Sequence, residues 1–123
     1  MSILDPFDDW KDTATYDADA VIFSSEDPAD TLYLVLEGNV ALSLRGEALS
    51  VEGRGALIGE MAIIGDSGHS TSATALDRVR LARISPTELR RLIGDDPEFS
   101  LHAMSELAKR LRAVDSVLGS RIA

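Results

Sequence analysis

Residues 32–51 read Leu32-Tyr-Leu-Val-Leu-Glu-Gly-Asn-Val-Ala-Leu-Ser-Leu-Arg-Gly-Glu-Ala-Leu-Ser-Val51. Three short runs rich in β-formers, 32–36, 40–44 and 49–51, are separated by the turn material Glu37-Gly-Asn39 and Arg45-Gly-Glu47. Outward from this core the pattern repeats. Val21-Ile22-Phe23 precedes it across Ser24-Ser-Glu-Asp-Pro28, Glu52-Gly-Arg-Gly55 follows it, and a further strand runs from near Val79 to Ile84. Strands spaced by about eight to twelve residues predict a small sandwich or barrel and not βαβ units.

After Ile84 the period changes. Ser85-Pro86-Thr87-Glu88 places Ser at an N-cap, Pro in the first turn and Glu where a capping box needs it. Leu89, Leu92 and Ile93 share one face of this helix, and Gly94 is placed to end it. A second start follows, with Asp96 as cap, Pro97 in the first turn and Glu98 beside the positive helix end. This helix is expected to run to Leu118, with Gly119 ending it. Along it Met104, Leu107, Leu111, Val114 and Leu118 alternate in steps of three and four, an a/d seam. Such a seam either lays the helix on its own barrel or pairs it with a second copy. The expectation taken here is a homodimer.

The 123 residues suffice for one domain, divided into an acidic, irregular N-terminal segment (1–17), a strand-rich body (18–84) and a helical part (85–119). In the first segment, Trp10 is expected to pack on the body. Twelve basic against 21 acidic side chains give a net charge of −9, which repels phosphate backbones and anionic lipid surfaces. Nucleic acid and membrane are therefore not expected as partners. With no cysteine, disulfides, thiolate catalysis and cysteine-based metal sites are excluded. The first residues show neither a basic n-region nor an apolar h-region, and no apolar run approaches the roughly 18 residues of a membrane span, so a soluble, cytoplasmic protein is expected. His69 and His102 lie far apart, and no HExxH, GxSxG or phosphate-loop pattern occurs. Neither catalytic residues nor a metal site is expected.

From Tyr16 to Leu118 the chain resembles the cyclic nucleotide-binding domain, the family of the catabolite activator protein, kinase regulatory subunits and gated channels. Val21-Ile22-Phe23, Asp27-Pro28-Ala29-Asp30, Leu32–Leu36 and Gly38 match its opening segment in order. Gly55 and then Gly59-Glu60-Met61-Ala62-Ile63-Ile64 match its phosphate-binding cassette, and Ala75 matches an alanine in the strand leaving it. The resemblance implies a mainly β fold with C-terminal helices: an eight-stranded, jelly-roll-like β-roll, with the cassette over 59–75, followed by a short and a long helix. It implies a cyclic mononucleotide, cAMP or cGMP, as ligand with no other cofactor. Gly59, Glu60, Met61, Ala62, His69, Ser70 and Thr71 would bind it. Two turn positions where the family usually has glycine carry Asp19 and Glu26 here, and its arginine is replaced by His69, nine residues after Glu60.

That replacement has a chemical cost. A cyclic phosphodiester needs donors that stay charged, which guanidinium provides as a planar fork. An imidazole with an ordinary pKa of about 6.5 is only partly protonated at neutral pH. Ser70 and Thr71 add neutral donors. Exchanging a charged donor for neutral ones weakens binding by roughly one to two orders of magnitude without abolishing it. Glu60 would accept a hydrogen bond from the ribose 2′-hydroxyl, or serve only its own helix start; His69 would meet the phosphate, or stand in a pocket that no longer binds.

Three functions compete. The first is a stand-alone sensor that binds a cyclic nucleotide weakly and signals through the helices after Ser85. The second is an interaction domain that kept the fold and lost the ligand. The third, a metal enzyme of the related cupin-like barrels, needs clustered histidines that two separated ones do not supply. Only five residues follow Leu118, too few for a helix-turn-helix domain. Output is expected through dimerisation or an effector protein, and the sensor is the reading taken.

Overall fold

The computed structural model of the chain describes residues 7, 9–25, 27–28, 30–59, 69 and 71–122, with side chains as far as Gly119. These form β1 (Thr13–Tyr16), β2 (Val21–Phe23), β3 (Leu32–Glu37), β4 (Val40–Leu44), β5 (Glu47–Glu52), β6 (Leu57–Ile58), β7 (Ser72–Ala75), β8 (Val79–Ile84), α1 (Pro86–Asp95) and α2 (Pro97–Ile122). Two antiparallel sheets of order β1-β8-β3-β6 and β2-β7-β4-β5 face each other, and the helices follow. The expected class, an eight-stranded β-roll with a short and a long C-terminal helix, is the observed one.

Strand β3 shows why its sequence is continuously apolar. Leu32, Leu34 and Leu36 belong to a cluster with Leu89, Leu92, Phe99 and Ala103 of the helices, while Val35 belongs to the roll interior with Phe23, Leu42, Ile58 and Leu81. A strand buried on both faces cannot alternate with polar residues. The molecule is therefore three layers deep: helices, the β3 sheet, and the β4 sheet.

Turn chemistry sets the hairpins. Arg45 and Gly46, φ 53° and 82°, form the two-residue link between Leu44 and its partner Glu47, the left-handed pair that a tight hairpin requires. Asp19 has φ 72°, so it adopts the conformation of the glycine that the resemblance implies there, and its N–H donates to the Ala75 carbonyl (2.7 Å). At the β3–β4 turn, Asp77 accepts from the backbone N–H of Asn39 (2.7 Å) and from its side chain (3.0 Å). These two bonds, the backbone one first, hold the Asp77 carboxyl below the ordinary carboxylate range. The pin is thus present above the ordinary value and is lost as pH falls through the lower folded one.

Several boundaries differ from the sequence expectation. Thr13–Tyr16 forms β1 against β8 within the segment read as irregular. Helix α1 contains Gly94 and ends at Asp95, and α2 passes through Gly119 to Ile122. The terminator of α1 is Pro97. It disfavours the helical region for the residue before it, so Asp96 is extended (φ −131°, ψ 92°), and the Asp96 carboxylate then caps α2 by accepting from Phe99 N–H (3.2 Å). The capping box at Ser85 and Glu88 forms in both directions, 3.2 and 3.1 Å. Ile93 is exposed and not on the buried face with Leu89 and Leu92. Trp10 packs on Phe7 and donates its indole N–H to the Arg83 carbonyl (2.8 Å).

Two glycines with nearly the same φ test the packing. A Cβ at Gly38 (φ 87°) falls 2.3 Å from the Arg78 carbonyl oxygen, whereas one at Gly46 (φ 82°) meets nothing. Gly38→Ala is expected to cost roughly 2–4 kcal/mol by strain plus overlap, and Gly46→Ala about 1 kcal/mol by strain alone. Urea unfolding of both variants measures the difference.

Candidate ligand-binding site

The phosphate-binding cassette implied by the resemblance, 59–75, begins where β6 delivers Gly59 and runs through β7 to Ala75. The fold brings Gly59 and His69 together. Gly59 has φ 79°, and a Cβ there would lie 3.3 Å from His69 Cε1, 3.3 Å from Tyr33 Cδ2 and 3.0 Å from the Thr31 carbonyl oxygen. Only glycine combines that backbone with that closeness.

His69 is buried, 5% exposed. Its backbone N–H donates to the Asp27 carbonyl (2.9 Å), and its ring stacks on Phe23 with centroids 3.9 Å apart and planes 18° from parallel. Phe23 lies in turn 6.2 Å from Tyr33, stacked at 15°. Burial is the main cause that raises the Tyr33 phenol above its ordinary pKa, followed by the nearby Tyr16. Thr71 is buried. Ala75 lies opposite Val40 in β4 and donates its N–H to the Ala20 carbonyl. Glu60, Met61, Ala62 and Ser70 lie outside the described residues, so the geometry of the set concerns Gly59, His69 and Thr71.

Sequence reasoning did not place Phe23 and Tyr33 beside the site. Nor did it single out Ser50, whose Oγ is buried without a hydrogen-bond partner among the described residues. Ser50 stands opposite Leu42 in the β4–β5 ladder, and Leu42 belongs to the roll core. Paired residues share a face, so this hydroxyl points into the roll. An alternation pattern reports that a face is buried and not which polar atom on it lacks a partner.

Helix α2 docks beside the cassette through polar side chains. The outward N–H of Leu57 donates to Glu106 Oε1 (3.0 Å), and the Leu57 carbonyl accepts from Arg110 (3.1 Å). Arg110 also lies 3.4 Å from Glu52, and Lys109 lies 3.6 Å from Glu106. One turn earlier, His102 Nε2 sits 2.5 Å from the Gly55 carbonyl. A carbonyl only accepts, so that nitrogen carries the proton. His102 is thus a docking residue at the helix edge. A cleft of about 400 Å³ between these groups is lined by Glu52, Arg54, His102, Glu106 and Lys109. The a/d seam lies off this docking face, with Met104 58% and Leu111 63% exposed. The reading in which the seam lies on its own roll is therefore corrected: Phe99, Ala103, Glu106 and Arg110 face the roll instead. No group of three metal-ligating side chains occurs among the described residues, and no described helix is long and apolar enough to cross a membrane.

Residues 13–96 match the cyclic nucleotide-binding domain, and the chain belongs to that family. It is 30% identical over 106 residues to a CRP-like cAMP-activated global transcriptional regulator of Mycobacterium tuberculosis, covering 82% of this chain and 47% of that protein. Among solved structures it superposes on the Thermus thermophilus catabolite activator protein with a TM-score of 0.75 at 29% identity, covering 95% of this chain and 57% of that one. It also superposes on an EAL enzyme in its cAMP-bound form, with a TM-score of 0.61 at 29% identity over 87% of this chain and 30% of that one. The chain spans about half the length of the curated relatives it matches.

The Glu106 contact is testable by itself. Glu106→Ala leaves the Leu57 N–H buried without an acceptor and is expected to cost about 1–3 kcal/mol. Glu106→Gln, which keeps a carbonyl acceptor, retains most of the stability. Chemical denaturation of the two variants separates the hydrogen bond from the charge.

Proposed function

We propose that this chain is a regulatory module, not an enzyme, that binds a cyclic mononucleotide (cAMP or cGMP) weakly at the cassette and signals through its C-terminal helices. Gly59, Glu60, Met61, Ala62, His69, Ser70 and Thr71 form the site, with His69 and the neutral donors meeting the phosphate and Glu60 the ribose. The observation that carries the reading is the apposition of Gly59 and His69 within the cassette. The relatives named as cAMP-activated and cAMP-bound support it.

Signalling has a short route. Leu57, gripped by Glu106 and Arg110, lies two residues before Gly59, so a ligand that shifts the cassette pulls on α2. Such a ligand acts only by binding the two positions of α2 with different affinity. The exposed Met104, Leu107 and Leu111, with Val114 and Leu118, form the homodimer seam through which the module meets a second copy. An effector protein reads the change. We place this activity in the cytoplasm.

One observation favours a second reading, a ligand-independent interaction domain. The His69 ring is buried and stacked on Phe23, which leaves little of it open to a ligand.

Calorimetric titration of unfolded and refolded protein with cAMP and cGMP decides between them. Saturable binding is expected, tighter at pH 6 than at pH 8, and His69→Arg is expected to tighten it about ten- to hundredfold. Absence of binding to both nucleotides at millimolar concentration, in parent and variant alike, overturns the sensor. For the seam, sedimentation velocity is expected to show a dimer that Leu107→Glu with Leu111→Glu converts to monomer; a monomeric parent removes the homodimer.

A further inference from the structure

We propose that Phe23 is a positioning residue that holds the His69 imidazole by its face and so fixes the cassette at that residue. As far as it concerns ligand, the inference rests on the cyclic nucleotide reading above. Its structural part stands on the stack itself.

The unusual feature is how Phe23 comes to face inward. In a regular strand residues two apart point the same way. Here Val21 is 58% exposed and Phe23 5% exposed, although they flank a single residue. The ladder explains it. Val21 pairs with Thr74 and Phe23 with Ala73, so two steps on β2 match one on β7 and Ile22 is the extra residue of a bulge. A bulge re-aims the side chain that follows it. The result is a phenyl ring under the imidazole at 3.9 Å and 18°, with Gly59 close enough that a Cβ there would lie 3.3 Å from Cε1.

Stacking uses the face of an imidazole and leaves hydrogen bonding to its edge, where both nitrogens lie. An arginine reaches a phosphate as a fork on a long stem, whereas histidine has a short stem and one plane. A histidine in that place therefore needs its plane set by a neighbour, and Phe23 sets it. The Asp27 carbonyl fixes the backbone of the same residue, so ring and main chain are held from the β2 side together.

The experiment uses the full chain with Phe23→Leu, which keeps apolar bulk and removes the ring face, and Phe23→Tyr, which keeps the face. In ligand-free parent protein, NMR is expected to show His69 ring protons shifted upfield by the phenyl ring current; random-coil shifts overturn the stack with no variant needed. In Phe23→Leu that shift is lost and exchange of the His69 amide rises several-fold, while Phe23→Tyr matches the parent. Unchanged His69 shifts and exchange in Phe23→Leu overturn the proposal. Titration with cAMP is then expected to show affinity about three- to tenfold weaker in Phe23→Leu and restored in Phe23→Tyr. Equal affinity in all three overturns the ligand-positioning role. A parent that binds no cAMP, together with a loosened His69 in Phe23→Leu, sinks the nucleotide reading and upholds the structural role of Phe23.

Discussion

The outward peptide groups of Leu57 pose the problem around which this molecule is arranged. Strand β6 has two residues and stands at the edge of its sheet, so the Leu57 N–H and carbonyl point away from β3 with no strand to meet them. Glu106 and Arg110, one helical turn apart on α2, supply the missing acceptor and donor. Both side chains are buried, and Arg110 is further neutralised by Glu52. Burying such charges is costly unless each is paired and hydrogen-bonded, as here. The same contacts cover a strand edge that would otherwise be open to another chain.

Everything on the helical side follows from that attachment. With α2 held at Leu57 and, through His102, at Gly55, Phe99 and Ala103 fall on the outer face of β3 and close the apolar layer with Leu89 and Leu92. The flank of α2 beside that docking face is left apolar and partly exposed, and Ile93 with Ala103, Met104 and Leu107 frames a groove of about 300 Å³. A helix tied by polar groups at the strand edge leaves its seam exposed, the surface that the proposed dimer would use.

The cassette gathers the remaining constraints. Gly59 is required by both φ and closeness, His69 by its seat on Phe23, and the turn at Asp19 holds β7 through the Ala75 carbonyl. Asp19 shows that a departure from the family's glycine need not change the geometry, since aspartate tolerates the left-handed region better than most residues. At His69, where the resemblance implies an arginine, the Asp27 carbonyl holds the backbone and Phe23 holds the ring.

Much of the fold was legible in the residues because its causes are local. The alternating or doubly buried strands β3, β4 and β8, the tight links at Gly38 and Gly46, and the capping box at Ser85 each depend on side chains within a few positions of one another. Strands β1 and β6 were not legible as such, and β7 was expected only through the resemblance at Ala75. Thr-Ala-Thr-Tyr, Leu-Ile and Ser-Ala-Thr-Ala carry little apolar period, and they are strands because β8, β3 and β4 offer them partners far away in sequence. The site divides likewise. The order Gly59-Glu60-Met61-Ala62 to His69 was readable along the chain, whereas the bulge at Ile22 that puts Phe23 under His69 arises from pairing with β7. The sequence by itself determined the class of roll, the helix starts and the apolar seam. Only the tertiary structure decided which face of α2 docks, because polar bonds to a strand edge outweigh a hydrophobic period that none of the described elements covers.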